Sequence, residues 1–421
     1  MKRIYFIIGF LVATNIISAQ TTPFILRGVL KENRQQLYRN IVKNSITKNL
    51  SLLLTDSTEE NWQDAFWAME LINYKSAWVD SKIYEVFKNI QNYHPPFQRA
   101  LLELAYTNYK DVFLDPVNLL LQKTNDSKIF AMCALYILPS VKTKEEKRVF
   151  INKISIKTPT DNPIIKELYY HLLHEDIKLP NKALYYLFDK SFLPGNVLLF
   201  SIQRKNRDFP GLAIVRDAAG NFIKDNNDFF SVPQLARSIT NLPGYLTNGN
   251  TPEGIFRMDG FDTSKSIFIG PTTNIQLTMP YEEDTPNHFY KDSTQMDNWG
   301  LGDYEKLLPD SLKNYFPLYE VHYASEAGRT AIIAHGTTID PLYYKNKPYY
   351  PLTPTQGCLC TKEIWSDETG MLMESDQLKL VNAIIKAGGP NGYAIVINID
   401  DQQKPVELND ILEFLQTANQ K

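Results

Sequence analysis

Cysteine is scarce in this chain: three residues in 421, too few for a disulfide scaffold. A surplus of basic residues is missing too, because the formal net charge is -3. A protein that binds nucleic acid needs a basic face to neutralise phosphates, so we expect no nucleic-acid partner. No second long apolar run follows the first residues, so we expect no stable membrane insertion. A thiol kept in a polar segment is then a candidate for chemistry.

The first residues have the layout of a secretory signal peptide, which we assign to positions 1–19. Lys2 and Arg3 give a positive start, an apolar run covers positions 4–17, and small and polar residues follow. The run is shorter than the roughly 20 residues that a membrane-spanning helix needs. No cysteine follows it, so a lipoprotein anchor is not indicated. We expect a periplasmic or secreted protein.

The remaining chain predicts an α+β protein of two domains, because about 400 residues exceed what one core usually serves. Apolar residues recur at helical spacing between Asn61 and Leu173, with polar or proline breaks near Ser76, His94 and Asp126. This pattern predicts an all-helical domain over 20–190. Short helices in quick succession favour stacked pairs of the HEAT kind.

From about residue 195 the pattern changes to strands and turns, which predicts a mostly β domain over 195–421. Short β-branched or aromatic runs predict its strands, and polar or glycine-containing segments predict hairpin turns at 217–221 and 326–329. We expect a helix over 376–387, a final strand over 393–399 and a closing helix over 406–417. The expected earlier strands are 197–202, 211–216, 266–269, 274–279, 319–323 and 330–335.

Two of the three cysteines lie in one polar stretch, "HGTTIDPLYYKNKPYYPLTPTQGCLC", which runs from His335 to Cys360. The preceding apolar residues predict a strand that delivers His335 and Gly336 at its end. A catalytic thiol needs an imidazole to take its proton, and the two residues are often far apart in sequence. A glycine beside Cys358 allows close approach of a substrate and offers backbone N–H groups to an oxyanion.

Three motifs together resemble the catalytic domain of the L,D-transpeptidases of the YkuD type. The family's His-Gly and Ser/Thr-His-Gly-Cys elements correspond to "AHGTT" and "TPTQGCLC", and its Thr-Pro-x-Gly-x-Phe element to "NGNTPEGIFRMDG". The hairpin "GLAIVRDAAGNFI" is similar to the family's opening strands. The resemblance covers about residues 195–400 and does not extend to the helical part.

The resemblance implies a role for each matching residue. Cys358 matches the nucleophile, His335 the general base, and Gly336 the residue whose carbonyl holds the imidazole in its working tautomer. Gly357 and Cys358 would supply backbone N–H donors. The sequence departs from the family at Gln356, where a histidine is usual, and two residues after the nucleophile, where Cys360 replaces an arginine or asparagine.

Substrate contacts are expected from the residues around these motifs: Thr355, Gln356 and Gly357 before the thiol, and two residues further away. Arg257 is a candidate to hold a substrate carboxylate, with a solvated strand surface as the other interpretation. His322, in "YEVHYAS", is expected on a strand that lines the cleft, with a satisfied structural histidine as the other interpretation.

The other two cysteines have simpler interpretations. Cys133 lies in "IFAMCALYIL", an apolar helical stretch, which favours core packing. Cys360 is either packed or a redox partner of Cys358. Two cysteines with one histidine make a poor zinc set, so we expect no metal.

The implied function is peptidoglycan L,D-transpeptidation, a step of cell-wall biogenesis that needs no cofactor. The Cys358 thiolate would attack a stem-peptide carbonyl and form an acyl-enzyme. An amine acceptor then gives a cross-link, and water gives L,D-carboxypeptidase action; the sequence leaves both open. Two alternatives remain. One is a non-catalytic cell-wall-binding module with a helical scaffold for a protein partner, and the other is a hydrolase of another cell-wall amide with the same dyad.

Overall fold

The computed structural model describes residues 24–155, 161–174, 177–282, 285–292, 294 and 298–420. Its helical N-terminal region and strand-rich C-terminal region confirm the expected mixed α+β class. The signal peptide assigned to 1–19 lies outside the described residues. Within them, no helix combines the length and the apolar character that crossing a bilayer requires.

Short helices follow one another through the N-terminal region, as the helical spacing predicts. The predicted breaks begin new helices: the side chains of Ser76 and Asp126 each accept a hydrogen bond from a first-turn N–H, and Pro95 opens the helix after His94. A π-helical segment, Ile41–Thr47, joins the first two helices. The helices are α1 (Lys31–Asn40), α2 (Lys48–Leu50), α3 (Glu59–Leu71), α4 (Ala77–Phe87), α5 (Pro95–Asn108), α6 (Leu114–Lys123), α7 (Ser127–Ile137), α8 (Lys144–Ser155), α9 (Pro163–Leu173) and α10 (Ala183–Phe188).

The centre of the helical region is α7, in which every residue from Ile129 to Ile137 is buried. Cys133 lies in this helix without exposure, and burial raises the pKa of its thiol far above the ordinary range. The expected role of Cys133 in core packing is confirmed.

The C-terminal region contains the strands, together with further helices. They are β1 (Val197–Arg204), β2 (Gly211–Arg216), β3 (Lys224–Asp225), β4 (Asp228–Phe229), β5 (Val232–Leu235), β6 (Gly254–Thr263), β7 (Thr273–Thr278), α11 (Pro286–Tyr290), α12 (Leu301–Glu305), α13 (Glu320–Glu326), β8 (Ile333–His335), β9 (Leu359–Thr361), β10 (Glu363–Trp365), β11 (Leu372–Ser375), α14 (Asp376–Ala387), β12 (Gly392–Asp400) and α15 (Leu412–Gln420).

Eight of the described strands close into a barrel in the order β1-β12-β6-β7-β8-β9-β5-β2. Two neighbouring pairs, β1 with β12 and β8 with β9, are parallel, and the other neighbours are antiparallel. Closure leaves no open edge along the barrel, and it brings β8 and β9 together although 23 residues separate them.

Several predicted elements are confirmed and three are wrong. The expected strands 197–202, 211–216 and 274–279 match β1, β2 and β7, and the expected helix 376–387 matches α14. Residues 266–269 form a turn instead of a strand. Residues 319–323 enter α13, and 326–329 form the end of that helix instead of a hairpin turn. The aromatic residues Tyr319 and Tyr323 gave a strand-like pattern. Both are helical, and their rings pack against those of Tyr304 and Phe316.

Packing between the two regions is extensive. Helix α10 lies in the hydrophobic core of the barrel, with Leu187 and Phe188 fully buried there. Conversely, Leu242 and Leu246, which precede β6, belong to the core of the helical region. The segment that carries them therefore faces both regions.

One buried side chain ties the barrel strands of the candidate site to α14. The amide nitrogen of Gln377 donates to the carbonyls of Thr273 and Ala334 over 2.9 and 3.0 Å, and its oxygen accepts from the Thr361 hydroxyl over 2.8 Å. Gln377 has no exposed surface. It therefore holds β7, β8 and β9 in a fixed relation.

Replacing Gln377 by alanine should lower the free energy of unfolding by about 2–4 kcal/mol, because two buried carbonyls and one hydroxyl lose their partner. Denaturant unfolding of the two proteins measures the difference. Gln35→Ala, an exposed glutamine on α1, is the control and should change stability by less than about 0.5 kcal/mol. Equal stability of Gln377→Ala and the parent would contradict this role.

Candidate functional site

The parallel pair β8–β9 brings the predicted nucleophile and base to neighbouring strands. Ala334 pairs with Leu359, and His335 pairs with Cys360. Side chains of paired residues, and of residues two apart on one strand, lie on the same face of a sheet. Cys358 comes immediately before β9, so its position places it on the face that His335 occupies.

His335 is held in one tautomer. Its Nδ1 lies 2.5 Å from the carbonyl oxygen of Gly336, so Nδ1 carries the proton and Nε2 is left as the basic nitrogen. The ring is buried, and burial lowers the pKa of His335 although the bond to Gly336 opposes the shift. The imidazole is therefore neutral at neutral pH and able to accept a proton. The contact with Gly336 is the one that the resemblance implies.

Cys358 is partly exposed, and its thiol donates to the carbonyl of Ala331 over 3.8 Å. Burial raises the pKa of Cys358, while the N–H of Ile333 and the charge of Arg329 act in the opposite direction. Among the described residues, no hydrogen bond joins this thiol to His335. The resting pair is thus a neutral thiol beside a neutral imidazole, and not a thiolate–imidazolium pair.

Ala331, whose carbonyl accepts the hydrogen bond from the thiol, has a strained backbone. Ala331 has a φ of 63°, in the left-handed region that residues with a side chain rarely adopt. Its N–H donates to the Glu282 carboxylate over 3.3 Å. This conformation turns the Ala331 carbonyl toward Cys358 just before β8 begins.

Arg329 explains why the cysteine follows a glycine. A Cβ at Gly357 would lie 2.0 Å from a guanidinium nitrogen of Arg329, and the φ of Gly357 is 120°. Both facts exclude any side chain at this position. The guanidinium therefore lies directly against the backbone that presents Cys358.

The same guanidinium holds a second loop, residues 244–251, hereafter the 244–251 loop. It donates to the carbonyls of Gly249 and Asn250 over 2.7 and 2.8 Å, and to that of Gly244. Burial lowers the pKa of Arg329 to about 10, while the charge of Glu320 opposes the shift, so it stays a cation at neutral pH. Sequence reading missed Arg329, because the segment that carries it was expected to form a hairpin turn.

Glu363 is a second residue that the sequence did not reveal. A Cβ at Gly336 would lie 2.2 to 2.5 Å from the Glu363 carboxyl, so only glycine fits beside it. The carboxyl accepts from the N–H of Thr337 over 3.1 Å and from the Ser375 hydroxyl over 2.8 Å. Burial raises the pKa of Glu363 to about 7. Glu363 thus fixes the backbone that orients His335. In the sequence, the only signal for this role is that an acidic residue follows the Gly-Cys motif.

The three residues before the thiol have different surroundings. The N–H of Gly357 donates to the Thr355 hydroxyl over 2.9 Å, and that hydroxyl donates to the Cys358 carbonyl over 2.9 Å. Thr355 therefore shapes the loop, and the expected oxyanion donor at Gly357 is engaged in the resting structure. Gln356 is exposed, so a substrate can reach it.

Arg257 and His322 are not brought to the thiol by any contact that the structure shows. Arg257 is buried on β6, bonds to Asn391 and stacks over the ring of Tyr393. The prediction that His322 lies on a strand is wrong, because it lies in α13 among aromatic rings. Burial lowers the pKa of His322 to about 4, so it is neutral at neutral pH.

All three cysteines are free. Cys360 is fully buried, its sulfur lies 3.9 Å from the Thr353 hydroxyl, and burial raises its pKa to about 12. Packing therefore describes Cys360 better than a redox role does. In the described part of the chain, Cys358, Cys360 and His335 do not form a group that could hold a metal ion, whereas the ligand atoms of Asp56, Glu59 and His94 in the helical region lie close enough to one another to do so.

No family model matches the chain, and comparisons with curated proteins and with solved structures find no match either.

The reactivity of Cys358 should rise steeply with pH. Because the pKa of Cys358 is raised, the thiolate is a minor species at neutral pH. The rate of alkylation by iodoacetamide should therefore keep growing at pH values above the pKa of an ordinary thiol, about 8.5. Arg329→Gln removes a nearby positive charge and should move the midpoint further upward. Peptide mass spectrometry with Cys360→Ala as the control background measures the rate. A midpoint below that of free cysteine would contradict this picture.

Proposed function

We propose that the chain is a cysteine acyltransferase that acts on peptidoglycan stem peptides, in the manner of an L,D-transpeptidase. The observation that carries the proposal is the strand pairing that puts His335, with Nε2 free as a base, on the same face as the partly exposed Cys358. The sequence resemblance over about 195–400 supplies the substrate class.

The chemistry follows from these two residues. For attack, the thiol leaves the Ala331 carbonyl and passes its proton to Nε2 of His335, and the sulfur adds to the carbonyl of the L-centre of a diamino acid in the stem. The imidazolium then gives this proton to the leaving amine, which departs as D-alanine, and a thioester remains. The amine of a neighbouring stem, or water, cleaves the thioester and restores the thiol.

The electrostatics of the site suit this sequence of steps. A neutral imidazole is ready to accept the proton, and the Arg329 charge stabilises the thiolate when it forms. In the same step Gly336 keeps Nδ1 occupied, so the proton enters at Nε2. Nucleophile and base are both side chains of this chain.

The proposal also places the protein in the cell envelope, periplasmic or secreted, where peptidoglycan is found. The helical region would then serve as a scaffold that meets a protein partner. HEAT-like pairing of its helices belongs to the same proposal.

A second candidate function, a non-catalytic wall-binding module, is favoured by one observation. The resting thiol bonds to Ala331 and not to His335, and the Gly357 N–H is already bonded to Thr355. Such a site would bind a stem peptide without cleaving it.

Incubation with a tetrapeptide stem that ends in D-alanine tests the proposal. The parent protein should release D-alanine, and addition of a second stem should yield a cross-linked product. Cys358→Ala and His335→Ala should each abolish release, because one removes the nucleophile and the other the base. Chromatography coupled to mass spectrometry measures both products.

Gln356→His is the matched control, because Gln356 is exposed and the change restores the side chain usual in the resembled family. Release should stay intact or increase. Stem binding without release by the parent protein would favour the wall-binding module, and release of a different fragment would favour another amide hydrolase.

A further inference from the structure

A cavity of about 410 Å³ lies where the helical region meets the barrel region. Glu167 and Tyr170 of α9 line it from one side, and Arg207, Glu253 and Glu320 line it from the other. Thr251 and Gly244, at the two ends of the 244–251 loop, also line it. The cavity therefore adjoins this loop, and neither Cys358 nor His335 lines it.

Several buried polar atoms in this cavity have no hydrogen-bond partner. They are one oxygen of Glu167, one oxygen of Glu253, one guanidinium nitrogen of Arg207, the hydroxyl of Tyr315 and the amide oxygen of Asn398. Glu167, Glu253, Arg207 and Tyr315 are only 5%, 2%, 5% and 4% exposed. Buried polar groups are nearly always satisfied, so five unpartnered atoms around one cavity make it a candidate ligand site.

The hydrogen-bond partners of the other charged atoms in the cavity show which groups are already bonded. Both oxygens of Glu320 accept backbone N–H groups, those of Tyr245 and Glu253, over 3.1 and 2.8 Å. The second nitrogen of Arg207 donates to the Thr251 carbonyl over 3.4 Å. Among the described residues, no ion pair joins Arg207 to a carboxylate. The cavity thus has carboxyl groups on both of its sides and one cation, Arg207, on which the charges of Glu253 and Glu320 act without a direct ion pair.

We propose that this cavity binds the zwitterion of a small α-amino acid, with its ammonium group on Glu167 and Glu253 and its carboxylate on Arg207. The volume is at the lower end of the range for small-molecule sites, about 300–1,000 Å³. Charge-assisted hydrogen bonds to both ends of the ligand would satisfy the unpartnered atoms.

The pKa values of the carboxyl groups in this cavity agree with a cationic group in the ligand. Burial raises the pKa of Glu253 to about 8 and that of Glu167 well above its usual range. Carboxyl groups in this state gain from a nearby ammonium, which offsets the burial of their charge.

Binding in this cavity would affect the backbone next to Cys358. The Thr251 hydroxyl donates to the Gly357 carbonyl over 2.9 Å, and the carbonyl of the same residue accepts from Arg207. The inference does not depend on the proposed acyl transfer, because the cavity contains neither of its two catalytic residues.

Calorimetric titration of the full Cys358→Ala chain with D-alanine and with L-alanine tests the proposal without any turnover. At least one enantiomer should bind at a single saturable site. Acetate and methylammonium, which each carry one of the two charges, should bind at least about tenfold more weakly.

Glu167→Gln and Arg207→Gln should each weaken alanine binding by about tenfold or more. Glu70→Gln changes a buried glutamate of α3, outside the cavity, and should leave binding unchanged. Circular dichroism confirms that each variant is folded. Absence of binding by both enantiomers would overturn the proposal and leave a water-filled cavity. Binding unaffected by both cavity variants, or equal affinity for methylammonium, would overturn it as well.

Discussion

The candidate site depends on one buried cation. The guanidinium of Arg329 satisfies carbonyls at both ends of the 244–251 loop and lies against Gly357, so two loops distant in sequence share one anchor. A buried charge is costly unless it is fully bonded, and here peptide carbonyls, with the nearby Glu320 carboxylate, offset that cost. The same charge opposes the effect of burial on the pKa of Cys358. One side chain thus positions the loop and partly offsets the effect of burial on the thiol.

The second constraint is the register of β8 and β9, because a shift by one residue would turn either His335 or Cys358 to the opposite face. Gln377 holds these strands from α14, and Glu363 occupies the space that a side chain at position 336 would need. Neither of the two touches the thiol in any contact that the structure shows. Their contribution is to keep the His335 imidazole in one tautomer and one place.

Sequence reasoning succeeded where local pattern decides structure. Strands β1 and β2 and helix α14 follow from β-branched runs, turns and helical spacing. The contact of His335 with Gly336 is the one that the family resemblance implies. Sequence reasoning failed for residues 319–323, whose sequence pattern is strand-like but which are helical because their aromatic rings pack against neighbouring elements. Arg329 and Glu363 were not predictable, since their roles exist only once distant segments meet. The contacts of Thr355 and Gly357 likewise required the folded loop.

The proposed function requires that Cys358 forms a covalent acyl intermediate with the help of His335. Peptide-level mass spectrometry after brief incubation with a tetrapeptide stem, and quenching in acid, locates any adduct directly. We predict the mass of the stem without its terminal D-alanine on the peptide that contains Cys358, lost on treatment with hydroxylamine and absent in His335→Ala. An adduct on Cys360, or an unmodified Cys358 in protein that binds the stem, would contradict the account.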